Sequence, residues 1–390
     1  MKVFCRYPFT RLFSDSYGMM TPCCKATVNH PVPDAIGSGG TFPVAPVSSG
    51  ILNYRNSPEM NQLRNDMLKQ NPYTDLVKDV CRKCIYAEDH GLPSNRQPSD
   101  QIIRGRVMDI KLRVFGNSCN LQCYMCRPQD STMRTKQVKK MMEFDPNISK
   151  YIPLGEDGVA DFAIDRPEVF QQVIEDLVAL APKIHYLTII GGEPFILQSH
   201  YELLDRLIEC GEAKNITLCY HSNLTKNIDK AVDYMKKFKQ TDVYWSVDGF
   251  NGRDNYIRYP SRWSDVEENL NKILEYAEVQ ASVTLSALSI LDLFPLADYC
   301  VGRGIKLHYN FVTEPEVCRP DSLHPIIRKR LIEKYRSTIF DFLIPSLEEE
   351  VENWEERWYD MVRYLEAKDY VDGTNYKDVF PELCDLPKGR

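Results

Sequence analysis

The chain has 390 residues, with 48 lysines and arginines against 55 aspartates and glutamates and a formal net charge of −7. That balance disfavours a nucleic-acid-binding or anionic-membrane surface, and without a run of 18 apolar residues no membrane span is expected. Thirteen cysteines, and no apolar signal-peptide core in Met1 to Pro8, point to metal or cluster ligation in a reducing cytoplasm rather than to disulfides.

The first hundred residues carry a cysteine constellation of their own. Cys5, Gly18 and Cys23 are spaced C-x12-G-x4-C, and Cys81-Arg82-Lys83-Cys84 follows much later. A hairpin with Gly18 in its turn, after Asp15-Ser16-Tyr17, brings Cys5 and Cys23 together. Four thiolates in two pairs fully ligate a [4Fe–4S] cluster or a structural zinc, and spacing does not separate the two. Cys24 is an alternative to Cys23, which the spacing favours. Residues 31–50, rich in Pro, Gly and Ser, read as a surface loop.

From Val107 strands and helices alternate. Strands are expected at 107–115, 184–190, 215–221, 242–247, 280–288 and 305–312, and helices at 167–181, 199–211, 228–238, 263–278 and 292–302. Six β/α units predict an α/β fold with a parallel sheet, too few for a closed eight-stranded barrel. After the first strand comes Cys119-Asn120-Leu121-Gln122-Cys123-Tyr124-Met125-Cys126, a C-x3-C-x2-C loop. Zinc sites normally use four ligands; three close thiolates suit a [4Fe–4S] cluster with one iron left open. Asp130 to Glu143 reads as a basic helix leading into a loop over the site. The strand Ile184 to Ile190 runs into Gly191-Gly192-Glu193-Pro194, where glycines permit close backbone approach and Glu193 offers a carboxylate to an ammonium group.

In such folds polar residues at the C-terminal strand ends face the chemistry. Here these are His221-Ser222-Asn223 after the third strand and Ser246-Val247-Asp248-Gly249 after the fourth, with Arg258 shortly beyond. Asp248 reads as a cap for the turn before Gly249. Residues 323–369 predict two long helices, the second with Glu348, Glu349, Glu350, Glu352, Glu355 and Glu356 near its start, and the aromatic tail Thr374 to Leu383 is expected to dock. Cys210, Cys219 and Cys300 read as buried small hydrophobes.

The three-cysteine loop followed by Gly-Gly-Glu-Pro resembles the radical S-adenosylmethionine (SAM) superfamily. The resemblance implies a partial (β/α)6 TIM-type barrel and an open iron that binds the amino and carboxylate groups of SAM. Reduction then yields a 5′-deoxyadenosyl radical that takes a hydrogen atom from the substrate. It places Cys119, Cys123 and Cys126 on the cluster, Tyr124 and Met125 at the adenine, and Gly191, Gly192, Glu193 and Pro194 at the SAM amino group. Asn223 and Ser246 then lie near the methionine or ribose, and Arg258 at the carboxylate. A reductant such as flavodoxin or ferredoxin is implied.

The N-terminal pattern is similar to the SPASM/twitch auxiliary-cluster domains of that superfamily, as are Pro22-Cys23-Cys24, Asn56-Ser57-Pro58-Glu59 and Leu63-Arg64. His90 and Ser94 stand where a full SPASM domain continues with cysteines, so the shorter twitch type is implied: one auxiliary [4Fe–4S] cluster on Cys5, Cys23, Cys81 and Cys84. The expected division is a twitch domain at 1–100, a partial barrel at 101–320 and a helical extension at 321–390. Cys318 and Cys384 are candidate hydrogen-atom donors facing the active site. The expected reaction is oxidation or another modification of an unidentified peptide or small molecule. The alternative is a non-enzymatic zinc or iron–sulfur scaffold or an electron carrier.

Overall fold

All six strands expected from the alternation are present, joined by three more at the N-terminus. In chain order they are β1 (Arg11–Ser14), β2 (Met19–Thr21), β3 (Ala45–Pro46), β4 (Met108–Leu112), β5 (Ile184–Ile189), β6 (Thr217–Ser222), β7 (Gln240–Ser246), β8 (Glu278–Leu285) and β9 (Lys306–Phe311). The computed structural model describes residues 4–32, 35, 37–69, 73–96, 107–154, 162–226, 228–384 and 386. The boundary expected at 100/101 lies outside them. The parallel strands form an open sheet rather than a closed barrel. Among the described residues no helix is long and apolar enough to cross a membrane.

The chain divides into two compact units, neither contiguous in sequence. The first is Met1–Gly116, Glu156–His221 and Lys230–Asp242; the second is Asn117–Gly155, Ser222–Asp229 and Val243–Arg390.

In the first unit the hairpin forms as the sequence predicts. β1 and β2 pair antiparallel with Phe13 opposite Thr21, and Gly18 turns the chain at φ +77°, a conformation glycine adopts without strain. Asp15 secures the turn: its Oδ1 accepts from the amides of Tyr17 (2.9 Å) and Met19 (3.0 Å), and its Oδ2 meets His30 Nε2 at 2.8 Å. The hairpin extends the sheet, because β1 pairs parallel with β4. β4 pairs with β5 and β5 with β6, all parallel. One face of these strands is apolar, with Leu12, Ile110, Leu187 and Leu218 at most 2 % exposed. The helices Pro167–Leu180 and Ser199–Glu209 bury apolar stripes that include Phe170, Ile174, Leu203 and Leu207.

Cys219 and Cys300 are buried as expected, but Cys210 is exposed. It follows the last helical residue, Glu209, where the chain turns outward into Gly211 at φ +77°.

In the second unit β8 and β9 pair in parallel from Gln280 opposite Lys306 to Leu285 opposite Phe311. The helix expected to reach 278 stops at Ile273, since Glu278 already begins β8. The C-terminal helices are Pro325–Tyr335, Ile344–Glu348 and Trp354–Asp372. The acidic run therefore does not open the helix Trp354–Asp372 as expected: Glu348 ends the helix before it, Glu349, Glu350 and Glu352 lie between the two, and only Glu355 and Glu356 lie in its first turn. That turn still places negative charge where the helix dipole favours it. The tail docks, burying Tyr376, Phe380 and Leu383.

Candidate functional site

The three-cysteine loop belongs to the second unit and is irregular, so its backbone polar groups need partners outside any ladder. They find them on the segment carrying Arg258. The Gln122 amide donates to Tyr259 O (2.8 Å) and the Tyr124 amide to Ile257 O (2.7 Å). Ser131 Oγ donates to Leu121 O at 2.9 Å and caps the helix Thr132–Phe144. Cys123 is buried, while Cys119 and Cys126 are half-buried. Burial pushes the Cys123 thiol up to about 12, with Arg258 pulling it down and Cys119 repelling. Cys126 is likewise raised, by burial and then by Asp130, Cys123 and Cys119. These thiols thus lie within each other's field and would ionise only against strong positive charge, which a bound metal centre supplies. The donor set fits a thiolate-ligated cluster, although among the described residues no three such side chains already stand at metal-binding distance.

Pairing of the two segments places Arg258 beside Cys123. Its Nη1 donates toward the sulfur at 3.9 Å, and its Nη2 pairs with Asp248 Oδ2 at 2.6 Å. Asp248 does more than cap a turn: its Oδ1 accepts from the Thr284 amide at 2.6 Å. The Asp248 amide donates to Asp254 Oδ1 at 2.8 Å. Burial opposes the charge on Arg258, but Asp248, Cys123 and Asp254 more than offset this, so it stays a cation. Burial raises both carboxyls against the pull of Arg258, Asp254 to about 7.

Asn223 is joined to the cysteine loop. Its Nδ2 donates to Asn120 Oδ1 (3.3 Å), its Oδ1 accepts from Thr225 Oγ1 (2.6 Å), and Asn120 Nδ2 donates to Thr225 Oγ1 (2.8 Å). Ser246 ends β7, half-buried. Met125 is buried and lies between Tyr124 and Cys126.

The Gly-Gly-Glu-Pro turn belongs to the first unit and follows β5 directly. Gly191 and Gly192 have φ of +109° and +52°. A Cβ on Gly191 would meet Gly116 O at 2.4 Å, so only glycine lets the turn lie against the backbone three residues before Cys119. Glu193 is buried, and its Oε1 accepts from the Phe195 amide at 3.1 Å. Pro194 opens the short helical turn that follows.

Residues 114–288 match the family model described as the Radical SAM superfamily. That stretch is thus similar to the radical SAM superfamily. No curated protein matches the chain. Among solved structures, the native anSMEcpe with bound AdoMet is 16% identical with a TM-score of 0.41, over 60% of each chain. The Streptococcus suis SuiB bound to precursor peptide SuiA is 16% identical with a TM-score of 0.36, over 62% of this chain and 49% of that one. The chain thus spans less than two thirds of either neighbour.

Behind the three-cysteine loop lies a buried polar network that no sequence motif marks. The Tyr124 carbonyl accepts from Arg134 Nη2 (3.0 Å), Tyr364 Oη (3.0 Å) and the Cys318 thiol (3.5 Å). Arg134 Nε donates to Cys126 O at 3.0 Å. Asp372, at the end of the helix Trp354–Asp372, accepts from Gln122 Nε2 (2.6 Å) and Gln137 Nε2 (2.7 Å) and pairs with Lys368 at 3.0 Å. Lys368 Nζ also sits 3.7 Å from the Tyr256 ring centroid. Only the four-residue spacing of Lys368 and Asp372 is a local signal of this network. Cys318 is fully buried, with burial pushing its thiol up to about 12. Cys384 is half-buried, its thiol 3.8 Å from Lys377 O.

The N-terminal thiols are gathered in the first unit. The Thr27 amide donates to Val80 O at 2.9 Å, which ties the chain after Cys23-Cys24 to the helix end before Cys81. Arg64 Nε donates to Pro8 O (2.8 Å) and Arg55 Nη2 to Phe9 O (2.9 Å), which fixes the chain after Cys5. Cys5, Cys81 and Cys84 are buried, and Cys23 and Cys24 half-buried. Burial pushes Cys23 up to about 12, and Cys24, Cys5 and Cys84 repel it further. Cys81 is raised by burial and by Cys5, Cys23 and Cys84. Cys24 accepts from Arg11 Nη1 and Asn95 Nδ2, each at 3.9 Å. His90 and Ser94 are engaged elsewhere, by Tyr86 O and Glu88 Oε1.

Proposed function

We propose that the chain is a radical SAM enzyme with two [4Fe–4S] clusters that takes a hydrogen atom from a peptide or small-molecule substrate, working in the cytoplasm with a flavodoxin or ferredoxin as reductant. The observation that carries the reading is the cysteine loop itself: three close thiols on a backbone fixed by the 257–259 segment, with Arg258 set against the central sulfur.

Cys119, Cys123 and Cys126 would hold the SAM-binding cluster. When bound, that cluster supplies the electron that cleaves SAM to methionine and a 5′-deoxyadenosyl radical. Arg258 compensates the thiolate charge at Cys123 from a buried position, where a guanidinium stays protonated. Glu193, with the two glycines before it, would receive the SAM ammonium; Asn223 and Ser246 would line the methionine or ribose, and Tyr124 and Met125 the adenine. Cys318 and Cys384 remain the candidate hydrogen-atom donors. Cys5, Cys23, Cys81 and Cys84 would hold the auxiliary cluster, which can accept one electron from a substrate radical and make the net reaction an oxidation. This reading keeps a twitch module at 1–100, a partial barrel at 101–320 and a helical extension at 321–390.

Replacement of Cys119, Cys123 and Cys126 together by alanine tests the assignment. The variant should remain folded and make no 5′-deoxyadenosine from SAM under anaerobic reduction. Production at the parental rate would show that the loop is not the SAM site.

A further inference from the structure

The open sheet of the first unit has one apolar face and one polar face, and among the described residues the polar face holds a lysine with no counter-ion. Strand register sets its neighbours. In the row that crosses β1, β4, β5 and β6, Phe13 is opposite Lys111, Lys111 opposite Thr188, and Thr188 opposite Cys219. In the adjacent row Arg11 is opposite Asp109, and Asp109 opposite Tyr186. Side chains in register on parallel strands share a face, so Lys111, Thr188, Cys219, Arg11, Asp109 and Tyr186 stand together.

Two of the charges on this face are already matched. Arg11 Nη2 pairs with Asp109 Oδ2 at 3.6 Å, and Tyr186 Oη donates to Asp242 Oδ2 at 2.6 Å. Lys111 is half-buried, and among the described residues its ammonium has neither a carboxylate partner nor a hydrogen bond. Burial lowers its pKa, the nearby thiols Cys219 and Cys24 counter this when ionised, and Arg11 and Arg113 add positive charge to its surroundings. Cys219 does not neutralise it, since burial holds that thiol up to about 11, in the neutral form. A half-buried ammonium without a partner is costly, and such a group on a polar sheet face suits an incoming anion.

We propose that the polar face of β1, β4, β5 and β6 is an oxyanion-binding site centred on Lys111, which holds a carboxylate or phosphate group of the substrate. Thr188 Oγ1 on the neighbouring strand supplies a hydroxyl donor, and Arg11, anchored by Asp109, sets positive potential at the edge. The substrate class is thus anionic. The assignment of this anion to a substrate rests on the radical SAM reading, whereas the anion site itself does not.

Isothermal titration of the anaerobic full-length protein, free of SAM, with malonate and separately with inorganic phosphate tests the site. One of the two should bind saturably, and which one binds identifies the group as carboxylate or phosphate. Lys111→Met should weaken that binding at least tenfold with unchanged circular dichroism and iron content, while Lys111→Arg, which keeps the charge, should retain it within about threefold. Binding of neither anion, equal binding by Lys111→Met, or loss in both variants with the fold intact would overturn the proposal. In parallel, the parent protein should make 5′-deoxyadenosine from SAM under anaerobic reduction. If it makes none, the radical SAM reading fails and the anion site is judged on its titration alone.

Discussion

Replacing Asp372 by alanine should be among the most damaging single changes in the second unit. The side chains of Asp372 and Lys368 are fully buried and 3.0 Å apart. Removing the carboxylate strands an ammonium in a site where burial already disfavours its charge and Asp372 is its main compensation. Breaking one partner of a buried pair costs about 3–5 kcal/mol. Two amide donors, from Gln122 and Gln137, lose their acceptor as well, each costing about 1 kcal/mol at the low end. The melting temperature should fall by on the order of 10 °C. Because Gln122 adjoins Cys123, the variant should also retain less iron than Glu355→Ala, a surface control on the same helix. The double variant Lys368→Met/Asp372→Leu removes both charges and should recover at least half of the loss, since an apolar pair of similar volume is often tolerated. Thermal and urea unfolding of the four proteins of this cycle would measure it. A loss below about 1 kcal/mol for Asp372→Ala would refute the reasoning.

Glu193→Ala should weaken SAM binding by about 10- to 100-fold, the equivalent of about 1.5–3 kcal/mol for a charged hydrogen bond, and leave iron content unchanged; iron loss without an affinity change would make the turn structural. His200 is fully buried and its pKa is lowered to about 4, chiefly by burial. The unfolded chain therefore takes up a proton below about pH 6.5 that the folded chain refuses until about pH 4. Stability should fall by about 3 kcal/mol across that window as pH drops, and His200→Gln should flatten this limb in urea titrations. Anaerobically reconstituted protein should hold about eight irons per chain and the Cys81→Ala/Cys84→Ala variant about four; one zinc with about four irons in the parent would remove the auxiliary cluster.

Local patterns that depend on a few neighbouring residues were legible in the sequence. The six strands, the hairpin at Gly18 and the Gly-Gly-Glu-Pro turn all arise from periodicity or from backbone freedom at particular glycines. What the sequence hid was long-range. Asp372 meets Gln122 across 250 positions, and nothing local in either segment marks the contact. Nothing local marks Asn120, yet it bonds Asn223 and Thr225 just after β6. Cys210 follows a helical pattern whose last turn opens to solvent, and the acidic residues at 349–352 fall between two helices rather than on one. Arg258 is expected at a SAM carboxylate; its pairing with Asp248 and its place against Cys123 follow from the 257–259 backbone lying along the cysteine loop, which local sequence does not show.

The central claim is that this loop supports reductive cleavage of SAM. Its most direct test is a single-turnover reaction of the reconstituted, dithionite-reduced protein with SAM under strict anaerobiosis, with 5′-deoxyadenosine and methionine quantified together. The account predicts the two products in equal amounts, dependent on reductant and on Cys119, Cys123 and Cys126. A fully iron-loaded, reduced protein that leaves SAM intact would contradict it.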